Sequence, residues 1–398
     1  MSAYAYDVVV IGAGIHGAGV SQAAAVRGYK VLLLEQNDIA AGTSSRSSKL
    51  IHGGLRYLET GQFRLVRECL QERRTLLRIA PHLVRLVPFY IPIYQHTRRR
   101  PWQIRIGLSV YAMLTGWARS ATFKSLARAH WHRLTGLDQQ GLQAVFQYWD
   151  AQTDDAALTR AVVASALEHG AQLVRPAQFI AAHPHAEGVR VVYKTAQGQQ
   201  EIYTRTLVNA AGPWVGAVAQ ACMLAMPMPA IELVEGAHIV VDAPAPPGIY
   251  YLEAPQDGRA IFVMPWRGQT LVGTTERIYT GEPGAAAPRV TDCEYLLTAM
   301  AHYFSFAKAL TAQDVIASFA GLRVLPSGAG SAFQRPRETL LPVDRTQRPR
   351  CLAIYGGKLT AYRATAEKVM HKLASSLPPP RRQADTRYVM LPSGEGLR

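Results

Sequence analysis

Apolar residues run together in YDVVVI at positions 6–11, stop at Gly12, and resume in KVLLL at positions 30–34. Unbroken runs of this length predict strands covered on both faces. Between them, residues 15–27 are rich in alanine and small side chains, the signature of a closely packed helix. Strand, helix and strand in that order predict a parallel sheet. Residues 62–79 alternate charged and apolar positions at helical spacing. A helical pattern restarts at 150–169, followed by strand candidates in QLVR, GVRVVYK and EIYTRTLVNAAG. From residue 226 to about 291 the texture changes. Short runs such as GAHIVV, AIFVMPW and TLVGTT are separated by proline and glycine, which predicts an antiparallel sheet. Residues 292–304 read as helix, QDVIASFAGLRVL and CLAIYGG each contain a strand, and residues 358–374 form a last helix. The segment LPPPRRQADTR reads as a loose connector.

Composition changes this picture in two places. The 398 residues are enough for two or three domains, and 48% hydrophobic content with 18% charged residues excludes wholesale disorder. Cys69, Cys222, Cys293 and Cys351 are widely spaced, with no CxxC and no Cys/His pairing, which argues against structural zinc and for a reducing compartment. No signal peptide is visible. Residues 8–26 lack Asp, Glu, Lys and Arg and approach the length of a membrane span, but their four patterned glycines suit a strand, a turn and a packed helix better.

Charge is concentrated. The formal net charge is +15, and from Arg73 to Leu137 twelve Lys or Arg occur with no Asp or Glu. Phe89, Tyr90, Tyr94, Trp102, Tyr111, Trp117 and Trp131 are interleaved with them. Basic residues mixed with Trp and Tyr fit a surface that docks on anionic lipid, and a solvated basic lobe is the plainer alternative. No nucleic-acid-binding motif accompanies the charge.

Gly12-Ala13-Gly14-Ile15-His16-Gly17 is a GxGxxG turn between the first strand and helix, and Glu35 closes the second strand. The glycines permit a tight turn and close approach of a pyrophosphate, while the acid is placed to accept ribose hydroxyls. This predicts an adenine dinucleotide without separating NAD from FAD. Nicotinamide enzymes continue the strand–helix pattern. Here the second strand is followed by GTSSRSSKLIHGGLRYLE, later by RTLVNAAGPW, and last by IYGGKLTAYR, where Gly356-Gly357 opens another helix. Three separate returns fit a large flavin. In SSKLIHGGLRYLE, Lys49, His52 and Arg56 have the spacing of a helix face, but two adjacent glycines in a helix cost about 2 kcal/mol. An anion-facing loop is the better reading.

GAGIHGAG with Glu35, SSKLIHGGLRYLE, LVNAAGPWV, VGTTE, FAGLRVL and YGGKLTAYR together resemble the aerobic, FAD-dependent glycerol-3-phosphate dehydrogenases of the D-amino-acid-oxidase-like superfamily. The resemblance spans residues 6–372. It implies an α/β fold, with a discontinuous Rossmann-like FAD-binding domain at 1–80, 150–225 and 312–378. An antiparallel-sheet α+β substrate domain is expected from residues 226–311, with a basic insertion at 81–149 and a tail at 379–398. The implied reaction oxidises sn-glycerol 3-phosphate to dihydroxyacetone phosphate, with FAD as hydride acceptor and quinone as final acceptor. The implied setting is peripheral, on the cytoplasmic side of the inner membrane, against anionic lipid, with a homodimer left open.

The same resemblance implies residue roles. His52 would be the base and Arg323 would polarise the C2 oxygen. Arg56, Tyr57, Arg337 and Lys358 would bind the phosphate ester, since arginine forks suit phosphate. FAD would contact Gly12, Ala13, Gly14, Gly17, Glu35, Gln36, Ser47, Ser48, Lys49, Leu50, Gly53, Gly54, Ala177, Gly212, Gly357, Lys358, Leu359 and Thr360. No metal is expected. An unperturbed imidazole titrates near 6.5, which would let neutral His52 accept a proton at pH 7. Two positions depart from the pattern: His16, expected to face outward or to touch the pyrophosphate, and Ala361, where a threonine is expected. Bacterial relatives are expected to continue into an all-helical C-terminal domain, whereas this sequence stops soon after its final helix.

Overall fold

The computed structural model describes residues 4–115, 122–328 and 338–397. Among these, the first sheet runs in the order Gln172–Val174, Val31–Leu34, Tyr6–Ile11, Gly198–Asn209, Gly188–Thr195 and Gln178–His185, with Cys351–Ala353 also on Gly198–Asn209. Pairing is parallel from Gln172–Val174 through Gly198–Asn209 and onto Cys351–Ala353, and antiparallel beyond. Val8, Val9, Val10 and Leu32–Leu34 are almost wholly covered. Their continuous apolar runs are explained by helices lying on one face and Gln178–His185 and its neighbours closing the other. Helix Ile15–Ala25 is so rich in small residues that helices Asp155–Glu168 and Tyr362–Leu373 pack directly on it. A Cβ on Gly19 would lie 2.8 Å from the Tyr362 ring.

The second sheet is built on Ile231–Val241, Gln269–Gly273, Ala260–Trp266, Ile249–Glu253, Val84–Tyr94 and Leu142–Thr153 in that order. Every pairing is antiparallel except Ile249–Glu253 beside Val84–Tyr94. Two consequences revise the expected organisation. Residues 81–149 are integral to this sheet, because they supply the long strand Val84–Tyr94 and most of its antiparallel partner Leu142–Thr153. Val315–Pro326, expected in the nucleotide domain, instead pairs along the whole length of Ile231–Val241.

The basic stretch is also rearranged by folding. Phe89, Tyr94, Tyr111 and Trp131 are core residues, and Trp117 lies outside the described residues. Arg73 is fully buried against Asp150, 2.5 Å away. Arg99 grips Glu59 and Glu253. Phe89 and Tyr94 pack from a long strand of a two-faced sheet, which needs large side chains, and Tyr111 and Trp131 pack from helical segments. Residues 377–397 are not loose. Leu391 and Thr386 are buried, and Arg363 joins Glu72 through two bonds of 2.8 and 2.6 Å while donating to Thr386.

Candidate active site

The ends of both sheets open on one cavity of about 750 Å³, within the range of cofactor sites. One end is the dinucleotide turn. Gly12 takes φ +96°, a left-handed conformation that favours glycine, and a Cβ on Gly17 would overlap the Gly12 carbonyl oxygen. Gly12, Gly14, Glu35 and Gln36 line the cavity. Glu35 accepts from the amide nitrogens of Ala13 and Asn37, at 2.7 and 2.8 Å, so Ala13 sets the carboxylate and does not itself face the cavity. Ser44 Oγ accepts from the amide of Ile15 at 2.9 Å, closing the helix start from across the cavity. Ala177 and Gly212 line the same end, the latter at φ +54°.

The second glycine turn meets the first. Gly356 and Gly357 take φ of +75° and +116°, and a Cβ on Gly357 would collide with the His16 ring. His16 therefore faces inward, which corrects the outward-facing expectation. It lines the cavity, its enclosure lowers its pKa to about 4, and its Nδ1 is buried without a protein partner. Gly357, Lys358, Leu359 and Thr360 follow it along the wall. Ala361 is buried behind them in the short Leu359–Ala361 turn.

The SSKLIHGGLRYLE segment threads the middle. Ser47, Ser48, Leu50, His52 and Tyr57 line the cavity. Lys49 does not. Its backbone takes φ +61°, and its Nζ turns back to Asp155 Oδ1 at 2.6 Å and the Ser45 carbonyl at 2.5 Å, packed under Phe319 and Trp266. The side chain expected to reach flavin phosphates is a buried structural cation, because Asp155 behind it has no other counter-charge among the described ion pairs. Gly53 and Gly54 are likewise outside the cavity lining. Protein fills the space a Cβ on Gly53 would take, with Tyr111 Oη at 2.5 Å and Leu70 Cδ2 at 2.7 Å. Gly54 is left-handed at φ +79°, and a Cβ there would strike the Tyr57 ring. Both glycines serve the turn that presents Tyr57, not a close approach to ligand.

Cations gather beside that turn. Lys358 Nζ lies 3.4 Å from the centroid of the Tyr57 ring, and the Arg56 guanidinium lies 5.5 Å from it on the outer side of the cavity wall. Arg323 reaches the cavity from the second sheet, 3.3 Å from Thr274 Oγ1 and 3.5 Å from Glu276. Arg337 lies outside the described residues. Burial first, then the charges of Lys358, Arg56 and Arg73, depress the His52 pKa to about 3. His52 is thus neutral throughout the physiological range and a far weaker proton acceptor than an unperturbed imidazole.

His238 is a site residue the sequence did not mark. His238, in Ile231–Val241, stacks on Phe319 at 4.9 Å and holds Ser48 Oγ at 2.9 Å through Nε2. It lines the cavity, its Nδ1 is buried without a protein partner, and burial with Arg323 and Lys49 nearby keeps it neutral. The available signal was one histidine in the otherwise apolar run GAHIVV. Among the described residues no cluster of three metal-ligating side chains occurs.

The glycine cradle and the Glu35 carboxylate suit a dinucleotide that lies along the cavity. Comparisons agree. Residues 7–363 match the FAD dependent oxidoreductase family model. The chain is 37% identical over 376 residues to D-erythritol 1-phosphate dehydrogenase of Brucella abortus, covering 94% of this chain and 74% of that one. It is also 37% identical over 407 residues to glycerol-3-phosphate dehydrogenase of Pseudomonas aeruginosa, covering 98% and 76%. The solved glycerol-3-phosphate dehydrogenase of Bacillus halodurans complexed with FAD superposes with a TM-score of 0.74 at 29% identity, covering 98% of this chain and 68% of that one. With the glycine cradle, the acid at the end of the second strand and the third-segment Gly-Gly turn all facing one cavity, this chain belongs to the FAD-dependent oxidoreductase family.

Proposed function

We propose that the protein oxidises sn-glycerol 3-phosphate to dihydroxyacetone phosphate and passes the electrons to a quinone. The observation that carries this reading is that Arg323 and Lys358 both line the cavity, with Lys358 over the Tyr57 ring and Arg56 on the same ring. More than one cation on the lining of the cavity suits a phosphate dianion better than a single carboxylate. FAD, held by the two glycine turns and Glu35, supplies a hydride acceptor when bound. Lys358 and Arg56 offset the phosphate charge, and Arg323 polarises the C2 oxygen. Binding of the dianion removes part of the positive field that depresses His52, so the substrate itself raises the basicity of the group that takes the hydroxyl proton.

Anaerobic mixing of the flavin-loaded protein with glycerol 3-phosphate should bleach the flavin's visible absorption. D-erythritol 1-phosphate, lactate and glycine serve as parallel arms. Bleaching by the erythritol ester alone would move the assignment to a longer polyol phosphate, and bleaching only by lactate or glycine would refute the phosphate reading.

The quinone reading requires contact with a membrane. No helix among the described residues is long and apolar enough to cross one. Helix Pro101–Leu114 instead exposes Trp102, Ile106 and Met113 along one face, beside exposed Arg98, Arg100 and Arg105. An apolar stripe flanked by arginines matches an interfacial helix on anionic lipid. Sedimentation with phosphatidylglycerol vesicles should fall as ionic strength rises toward 0.5 M, where charges are screened within a few ångströms, and should fall further in Trp102→Ser/Ile106→Ser. Equal recovery of the double variant and the wild type would remove this helix from docking.

A further inference from the structure

We infer that Tyr111 is a positioning residue that fixes His52 in the cavity wall, acting through the amide of Gly53. This rests on the substrate-side reading of His52 and Tyr57. The main chain at this point is held by two hydroxyl groups from distant parts of the sequence. Thr360 Oγ1 accepts from the His52 amide at 3.2 Å and donates to the His52 carbonyl at 3.4 Å. One residue further, Tyr111 Oη accepts from the Gly53 amide at 2.9 Å.

The tyrosine is itself fixed from behind. Its hydroxyl donates to Asp150 Oδ2 at 2.6 Å, and Asp150 Oδ1 pairs with Arg73 Nη1 at 2.5 Å. Arg73 Nη1 also donates to the Trp149 carbonyl at 2.8 Å. Tyr111, Asp150 and Arg73 are each 1% exposed or less, so water does not compete for these bonds. A phenol hydroxyl can accept and donate at once, which is why one oxygen joins a backbone amide to a buried carboxylate. The charged end makes the chain of bonds stiff and directional.

The packing says the same. Gly53 has no room for a side chain, because the Tyr111 hydroxyl and Leu70 occupy it. Tyr111 stands edge-on to Tyr148, with centroids 5.9 Å apart and rings crossed at 82°, so its ring cannot swing without disturbing the sheet. Nothing in this chain of contacts faces the cavity, and Tyr111 is absent from its lining. The residue acts on the reaction only through where it holds residues 52–54.

Tyr111→Phe tests this. The ring stays in place while the Gly53 amide loses the Tyr111 hydroxyl, keeping only its contact with Asp150, and Asp150 loses one donor. The readout is the rate constant for anaerobic flavin reduction by saturating glycerol 3-phosphate, measured on the flavin-loaded fraction. General destabilisation would lower flavin content or melting temperature but leave that rate unchanged. We expect the rate to fall about tenfold, in keeping with the cost of small displacements of catalytic groups, with the visible flavin spectrum and the affinity for sulfite unaltered. Gly53→Ala, whose Cβ would meet the Tyr111 hydroxyl at 2.5 Å and so displace the same contact with the tyrosine retained, should give the same signature and serves if Tyr111→Phe does not fold. A wild type that glycerol 3-phosphate bleaches, with a variant reduced at the same rate, overturns the inference alone. A wild type that is not bleached overturns the substrate reading and this inference with it.

Discussion

Arg323→Ala should yield a yellow, flavin-loaded protein whose reduction by glycerol 3-phosphate is slowed about a thousandfold. Arg323 enters the cavity from Val315–Pro326, a strand of the second sheet, and none of the glycine turns of the dinucleotide cradle depends on it. Its guanidinium is held by Thr274 and Glu276 on the neighbouring chain segment, which points the fork inward before any ligand arrives. A preorganised cation at a developing charge commonly accounts for two to three powers of ten in rate. Cofactor retention and loss of reduction should therefore separate cleanly. Rapid-scan absorbance after anaerobic mixing measures both at once. Turnover within threefold of wild type would remove Arg323 from the chemistry, and loss of FAD on purification would make it a cofactor ligand instead.

Lys49→Met should destabilise the protein by about 3–5 kcal/mol, the usual result of removing one partner from a buried pair and leaving the other charge in place. Asp155 would keep its carboxylate buried at the start of helix Asp155–Glu168, with the Ser47 amide and hydroxyl and the Ala156 amide left to answer it. Burial already raises the Asp155 pKa against the pull of Lys49, so removing the lysine should push it further and favour the neutral acid. Urea unfolding of the flavin-loaded variant reports the loss. A double variant, Lys49→Met/Asp155→Leu, should recover most of it, because the penalty comes from the unpaired carboxylate. Unchanged stability with weakened FAD binding would instead restore a direct role toward the flavin phosphates.

These two residues divide what could be read in the sequence from what could not. The strand–turn–helix at the N-terminus was legible because its cause is local: a buried strand needs apolar residues, a tight turn needs Gly12, and close helix contact needs Gly17 and Gly19. The same holds for Gly356 and Gly357, whose positive φ angles favour glycine. Arg323 was legible only through resemblance, since one arginine in a strand has no local signature.

Lys49 and Gly53 depart from expectation, and part of the aromatic stretch turns inward, for a shared reason. A lysine beside serines and glycines looks the same in sequence whether it meets a phosphate or a carboxylate. Only the fold brings Asp155 across 106 residues to meet it. Gly53 looks like room for a ligand, yet the tertiary structure fills that room with Tyr111 and Leu70. The interleaved Trp and Tyr of residues 81–149 suggest a surface, and folding buries Tyr94, Tyr111 and Trp131 while leaving Trp102 exposed. His238 went unseen because its neighbours in sequence are apolar, while its partners, Ser48 and Phe319, come from other strands and loops. The sequence by itself determined backbone conformation wherever glycine was needed and the apolar strands that follow or precede it. The tertiary structure decided which charges face the cavity and which are buried in pairs, because the partner of a charge is set by distance in space and not along the chain.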